Sequence, residues 1–253
     1  MTASGPVLFA RYAYPPNALG YCGPGDSRAL LEYADAETTD GGLVELARRF
    51  EGAWPYLALI AGAAGRADPL DRAVVEAYWI GGTLLDAVPP RLLAASLEER
   101  FRPQLGSAAD DLAAMAIRGG RPQHSFHVFA VYPWVGMLRA GYSLEPLRVL
   151  DSCRIRWGAV VDADLEYAVV RTRPLRWTGS ELVLDPPRAE RVRLREDGYG
   201  LACGVRRGAL VSIHWDWICD VLTEAQATTL ARSTMQDLAL VNAVPQRVGP
   251  LCG

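Results

Sequence analysis

The chain has 253 residues, half of them apolar and 22% charged, with a net charge of -3. That is enough for one large domain or two modest ones with a real core, and it excludes a disordered chain. It also lacks the clustered basic face that nucleic acid requires, any run of about 18 apolar residues, and a basic-then-apolar leader. No nucleic-acid partner, membrane span or signal peptide is therefore expected, and the cytoplasm is the expected compartment.

Every basic residue is Arg, which reads as genome composition more than chemistry. The cysteines, Cys22, Cys153, Cys203, Cys219 and Cys252, are odd in number and form no CxxC pair. Free thiols are expected, available as ligands or nucleophiles.

In chain order the first part reads as helical. Asp26 and Ser27 can cap a short helix through Tyr33, and Leu43, Leu46, Ala47 and Phe50 recur at helical spacing. Residues 53–64 are apolar and broken early by Pro55. Asp68-Pro69-Leu70-Asp71 opens a long helix that buries Val74, Val75, Tyr78 and Trp79, and Pro89-Pro90 interrupts it before a helix over 91–101. A loop over 119–122 leads into the apolar segment 125–138.

The texture turns to β near residue 148. Strands are expected over 158–161, 167–173, 182–184, 191–195 and 209–214, linked by turns such as Asp162-Ala163-Asp164 and Thr178-Gly179-Ser180. Thr223 with Gln226 makes a capping box for a last helix through Val241. The expectation is an α+β protein: a mainly helical domain over 1–147, then a small OB-like β-barrel with a C-terminal helix over 148–253.

All three histidines fall in two aromatic-rich motifs. In Pro122-Gln123-His124-Ser125-Phe126-His127, imidazoles at i and i+3 share a helix face and can share a metal. Equally, one ring can satisfy a buried carbonyl. In Ser212-Ile213-His214-Trp215-Asp216-Trp217, continued strand alternation puts His214 and Asp216 on one face, a first- or second-shell pattern. The plainer reading is a barrel corner plugged by the tryptophans. Cys22, in the Gly/Pro-rich Tyr21-Cys22-Gly23-Pro24 loop, can reach a site or simply fill a tight turn. The metal-ligand candidates are thus Cys153, His214, His124, His127, Asp216 and Cys22.

A third motif, Cys153-Arg154-Ile155-Arg156-Trp157-Gly158-Ala159-Val160-Val161, resembles the opening of the HypC/HupF family of hydrogenase-maturation chaperones. The likeness continues through Tyr167-Ala168-Val169-Val170, the strand near Arg191, Gly208-Ala209-Leu210-Val211-Ser212-Ile213-His214 and the helix opened by Thr223, over roughly residues 150–241. It implies that Cys153 and His214 hold iron bearing cyanide and carbon monoxide for a nickel–iron hydrogenase. This chain departs from the family in its internal Cys153, in Trp215-Asp216-Trp217 after the histidine, and in a longer hairpin with Trp177. The N-terminal phrases Phe9-Ala10-Arg11-Tyr12, Leu19-Gly20-Tyr21-Cys22-Gly23-Pro24 and Glu76-Ala77-Tyr78-Trp79 resemble an uncharacterised actinobacterial family, some members of which occur with hydrogenase systems.

Three functions follow as expectations. The first is an accessory protein that assembles or carries iron, with a hydrogenase or another maturation factor as its protein partner. The second is a non-haem iron or zinc enzyme with a His-rich site between the domains. The third is a metal-free interaction module whose aromatic motifs are only core.

Overall fold

A computed structural model describes residues 3–142 and 144–243. The helical part runs α1 (Gly5–Ala18), α2 (Ser27–Ala36), α3 (Gly41–Arg48), α4 (Trp54–Ala63), α5 (Arg72–Ile80), α6 (Pro90–Leu105), α7 (Ala108–Ile117), the single turn α8 (His124–Phe126), α9 (Trp134–Arg139) and α10 (Leu144–Cys153). Side-chain caps start several of them. Asp26 accepts from Ala29 N, Asp40 from Gly42 and Leu43, and Asp71 from Ala73, each relieving an orphan donor of a first turn. The helix expected after Asp68 is shorter than its hydrophobic pattern. It ends at Ile80 because Gly81 and Gly82 adopt φ values of 98° and 142°, and a 3₁₀ turn (Thr83–Ala87) follows.

The second part is built from β1 (Arg156–Ala163), β2 (Tyr167–Thr172), β3 (Leu175–Trp177), β4 (Leu182–Leu184), β5 (Arg188–Arg193), β6 (Arg195–Glu196), β7 (Tyr199–Gly200), β8 (Leu210–His214), β9 (Trp217–Leu222) and the final helix α11 (Glu224–Ala243). Five strands close into a barrel in the order β1-β2-β5-β9-β8, with β5 and β9 the parallel pair. The α+β class and the small barrel are as expected, but its membership is not. Leu182–Leu184 pairs only with β3, as a hairpin outside the barrel, and β9 is the unforeseen fifth strand. It was hidden because Trp215-Asp216, a dipeptide with no turn signature, makes a two-residue hairpin turn with Trp215 at φ 55°.

Gly158 shows why the cysteine-led motif needs its glycine. A Cβ there would sit 2.3 Å from the Arg171 carbonyl oxygen, so any side chain would pry β1 from β2.

Val160, Val170, Val192, Val211, Ile213 and Ile218 fill the barrel interior. A larger core joins helices to barrel without a break, with Phe9, Tyr12 and Trp79 in the same apolar cluster as Trp215, Trp217 and Leu222. Helix α1 lies against β8 and β9, while α11 spans from β8 and β9 to α5 and α8. The expected boundary at residue 147/148 falls inside α10, whose last residue is Cys153. Among the described residues no helix is long and apolar enough to cross a membrane.

Candidate metal centre

Helix α1 continues through Pro15 and Pro16. Proline has no N–H, so Pro16 cannot bond the carbonyl of Tyr12 four residues earlier. That carbonyl accepts instead from His214 Nδ1, 2.6 Å away at the end of β8. A carbonyl only accepts, so the hydrogen sits on Nδ1 and Nε2 keeps its lone pair. This Nε2 is buried and has no hydrogen-bond partner.

The end of α10 does the same for a second ring. The carbonyl of Cys153 is one of the last four of its helix, which have no partner within the helix. It accepts from His124 Nε2 at 2.7 Å, leaving Nδ1 of that ring unprotonated. His124 therefore does satisfy a buried carbonyl, and by doing so it presents a free nitrogen. An imidazole N–H held by a backbone carbonyl is the usual support of a metal-bound histidine.

One ring nitrogen from each of His124 and His214 and the Sγ of Cys153 all lie within 4.8 Å of one another. The two rings meet edge to face at 5.0 Å, and the Trp79 indole packs on both, at 4.6 Å from His124 and 5.7 Å from His214. A tetrahedral ion with bonds of about 2.0–2.3 Å spaces its ligands by about 3.5 Å, so the set would close by up to about 1 Å on binding. The donor chemistry, the unpartnered Nε2 and the burial of all three side chains fit a metal ion.

Burial also prepares the protonation states. It pushes His124 down to about 4, against the opposing bond to Cys153. His127 falls to about 3 by burial, helped by His124 and Arg100. His214 is held well below the ordinary histidine value, again by burial and then by His124. All three rings are thus neutral at pH 7, the form that ligates. Burial raises the Cys153 thiol, with Cys22 adding to the shift and the Trp215 indole opposing it. A metal must displace that thiol proton.

The other candidates fall elsewhere. His127 begins a π-helical turn (His127–Val131) and lines the same pocket, but it stands outside the three-ligand group, with Nδ1 turned to the Tyr56 hydroxyl at 3.1 Å. Cys22 also lines the pocket without joining the group, its loop pinned by Asn17 Nδ2 donating to the carbonyls of Cys22 and Pro24, both at 2.6 Å. Asp216 corrects the strand-alternation expectation. It occupies the hairpin turn, is exposed, and pairs with Arg193 at 3.3 Å instead of sharing a face with His214. Cys219 is buried apart from the group, Cys203 is exposed, and Cys252 lies outside the described residues.

Sequence reasoning did not find Tyr12 or Tyr56. The signal for Tyr12 was present: a proline four residues downstream of it, inside a helix, frees a carbonyl. Pro16→Ala should restore an N–H that competes for this carbonyl. Zinc affinity, read by chelator competition, is expected to fall about 10- to 100-fold while Tm holds or rises. An unchanged affinity would show that the Tyr12 carbonyl does not orient His214.

An α+β protein with a buried Cys–His–His group where its helices meet a five-stranded barrel is the class that fold and site define. The chain belongs to the family described as "Family of unknown function (DUF6390)", which it matches over residues 1–248, so the helical part and the barrel fall within one family match. No curated protein and no solved structure matches it.

Proposed function

We propose that this chain is a metal-binding accessory protein that holds an iron centre as cargo for a nickel–iron hydrogenase or another maturation factor. One observation carries the reading. Cys153 and His214, the two positions picked out by the HypC/HupF resemblance, meet in space, with His124 as a third donor. A thiolate with imidazoles is a soft, mixed set that suits iron and also zinc.

Pocket size supports carriage over turnover. The cavity beside the three donors is about 40 Å³, walled mainly by Ala13, Phe50, Tyr78, Trp79 and Tyr132. Sites for organic ligands run to several hundred Å³, whereas this space takes a few water-sized groups. The second reading, a non-haem iron or zinc enzyme, draws on the same group, because three protein ligands leave a coordination position open. The cavity would confine such an enzyme to very small substrates.

Anaerobic co-purification with hydrogenase-maturation proteins, followed by elemental analysis and infrared spectroscopy, tests the proposal. Near-stoichiometric iron with cyanide and carbonyl bands is expected, and both should be lost in Cys153→Ser and His214→Ala. Stoichiometric zinc in protein made alone, unchanged by co-expression, would favour the enzyme. Folded protein free of metal in every preparation would overturn both readings and leave an interaction module.

A further inference from the structure

Two side chains that line the pocket beside the three donors each carry a buried polar atom with no hydrogen-bond partner among the described residues: His214 Nε2 and Trp79 Nε1. The first keeps a lone pair, because the ring hydrogen is held on Nδ1 by the Tyr12 carbonyl. The second has its role fixed by its chemistry, since an indole N–H donates and never accepts. Tyr78, His127 and Tyr132 also line the pocket, but hydroxyls and imidazoles can serve either way. Among these side chains only the Trp79 indole is a donor whatever its neighbours do.

Packing holds that indole in place. Tyr12 stacks on it at 5.4 Å and 15°, Tyr78 meets it edge to face at 4.7 Å, and both ligand histidines lie against it. A buried donor without an acceptor is costly, and contact with an aromatic face returns only part of that cost. A ring so placed, touching both histidines, calls for an acceptor that arrives with the metal.

Charge selects the acceptor. His124 and His214 are neutral, so a divalent ion on them and on the Cys153 thiolate leaves one net positive charge. In a cavity of about 40 Å³, walled by Ala13 and Phe50 among others, an uncompensated charge is expensive. A monoanion of two or three atoms fits that space and cancels the charge. Its lone pairs can take the indole hydrogen, and a bond to a charged acceptor is the stronger kind.

We infer that the Trp79 N–H is the hydrogen-bond donor to a small monoanion bound to a metal on His124, Cys153 and His214. The inference rests on the metal reading of that group, and adds to it a ligand class and the residue that orients the ligand.

Cobalt(II)-loaded protein titrated with azide under anaerobic conditions tests this, with visible absorption and the azide infrared stretch as readouts. Trp79→Phe removes the N–H together with part of the ring. Benzothienylalanine at position 79 puts sulfur in place of the N–H and keeps the packing that Trp79→Phe loses. The isostere is expected to take up cobalt like the wild type but to bind azide about 10- to 100-fold more weakly, with a shifted stretch, and folded Trp79→Phe should bind azide no better. Wild-type azide affinity and stretch in the isostere would overturn the inference while leaving the metal reading intact, as would a cobalt-loaded wild type that binds no azide. Loss of cobalt from the folded isostere would overturn it by giving the N–H a part in holding the metal itself. Failure of the folded wild type to take up cobalt would overturn the metal reading and the inference with it.

Discussion

Acidifying the metal-free protein from pH 7 to pH 5 should remove at least about 3 kcal/mol of folding free energy. His124, His127 and His214 are buried as neutral rings, with values near 4, near 3 and well below the ordinary one. In the unfolded chain each titrates near about 6.5. Below that pH the unfolded chain takes up protons that the folded one refuses, so stability present above pH 6.5 is lost as pH falls toward 4. At pH 5 His124 and His127 each cost about 2 kcal/mol, about 4 together, and His214 adds to the loss in the same direction.

Asp237 works in the opposite sense. Burial raises it to about 6, against the nearby Ser125 hydroxyl and the hydrogen bond donated by Gln123 Nε2 at 2.6 Å. The folded chain holds that proton where the unfolded chain does not, so acidification returns about 1 kcal/mol. Against a typical total of about 5–15 kcal/mol, the balance takes a substantial share of the stability at pH 5. Urea midpoints at pH 7, 6 and 5 measure it, and a loss below about 1 kcal/mol would mean that the imidazoles are not buried neutral. Zinc should add stability at pH 7, where the rings already have their ligating form, and each ion bound should release the Cys153 proton.

The same residues show what a sequence can and cannot disclose. Chemistry completed within a few residues is legible. Thr223 and Gln226 form the capping box their spacing announces, at 3.2 and 2.9 Å, and Asp164 closes its turn by accepting from Glu166 N and Tyr167 N. Alternation fails at Trp215, because a positive φ at a bulky residue reverses the chain where the pattern gives no turn signal. That one residue hid β9 and misdirected Asp216. The pairing of His124 with His214 is beyond local reading altogether, since it depends on α10 and α1 presenting unsatisfied carbonyls from remote parts of the chain. Spacing placed His124 and His127 together, yet their hydrogen-bond partners, Cys153 and Tyr56, divide them.

Asp151→Ala should destabilise the protein by about 3 kcal/mol and loosen the site with it. Arg154 is 1% exposed, and Asp151 Oδ1 accepts from its Nε at 3.0 Å and its Nη2 at 2.8 Å. The same oxygen accepts from Leu175 N at 3.0 Å, tying the end of α10 to β3. Removing the carboxylate leaves a buried guanidinium whose one remaining hydrogen-bond partner among the described residues is the Arg173 carbonyl, and it orphans a backbone donor. The carboxyl keeps some contact with solvent, which places the expectation at the lower end of the range for a broken buried pair. Cys153 lies between the two partners in sequence, so a change in their geometry moves the thiol and its carbonyl together. Adding Arg154→Met should restore most of the lost stability, since the uncompensated charge goes with it. Chemical denaturation of the two single variants and the double variant measures the coupling, and additive losses would mean that the pair does not hold the end of α10. Zinc affinity should follow the same order, because the carbonyl that fixes the His124 tautomer belongs to Cys153, one of the two residues between them.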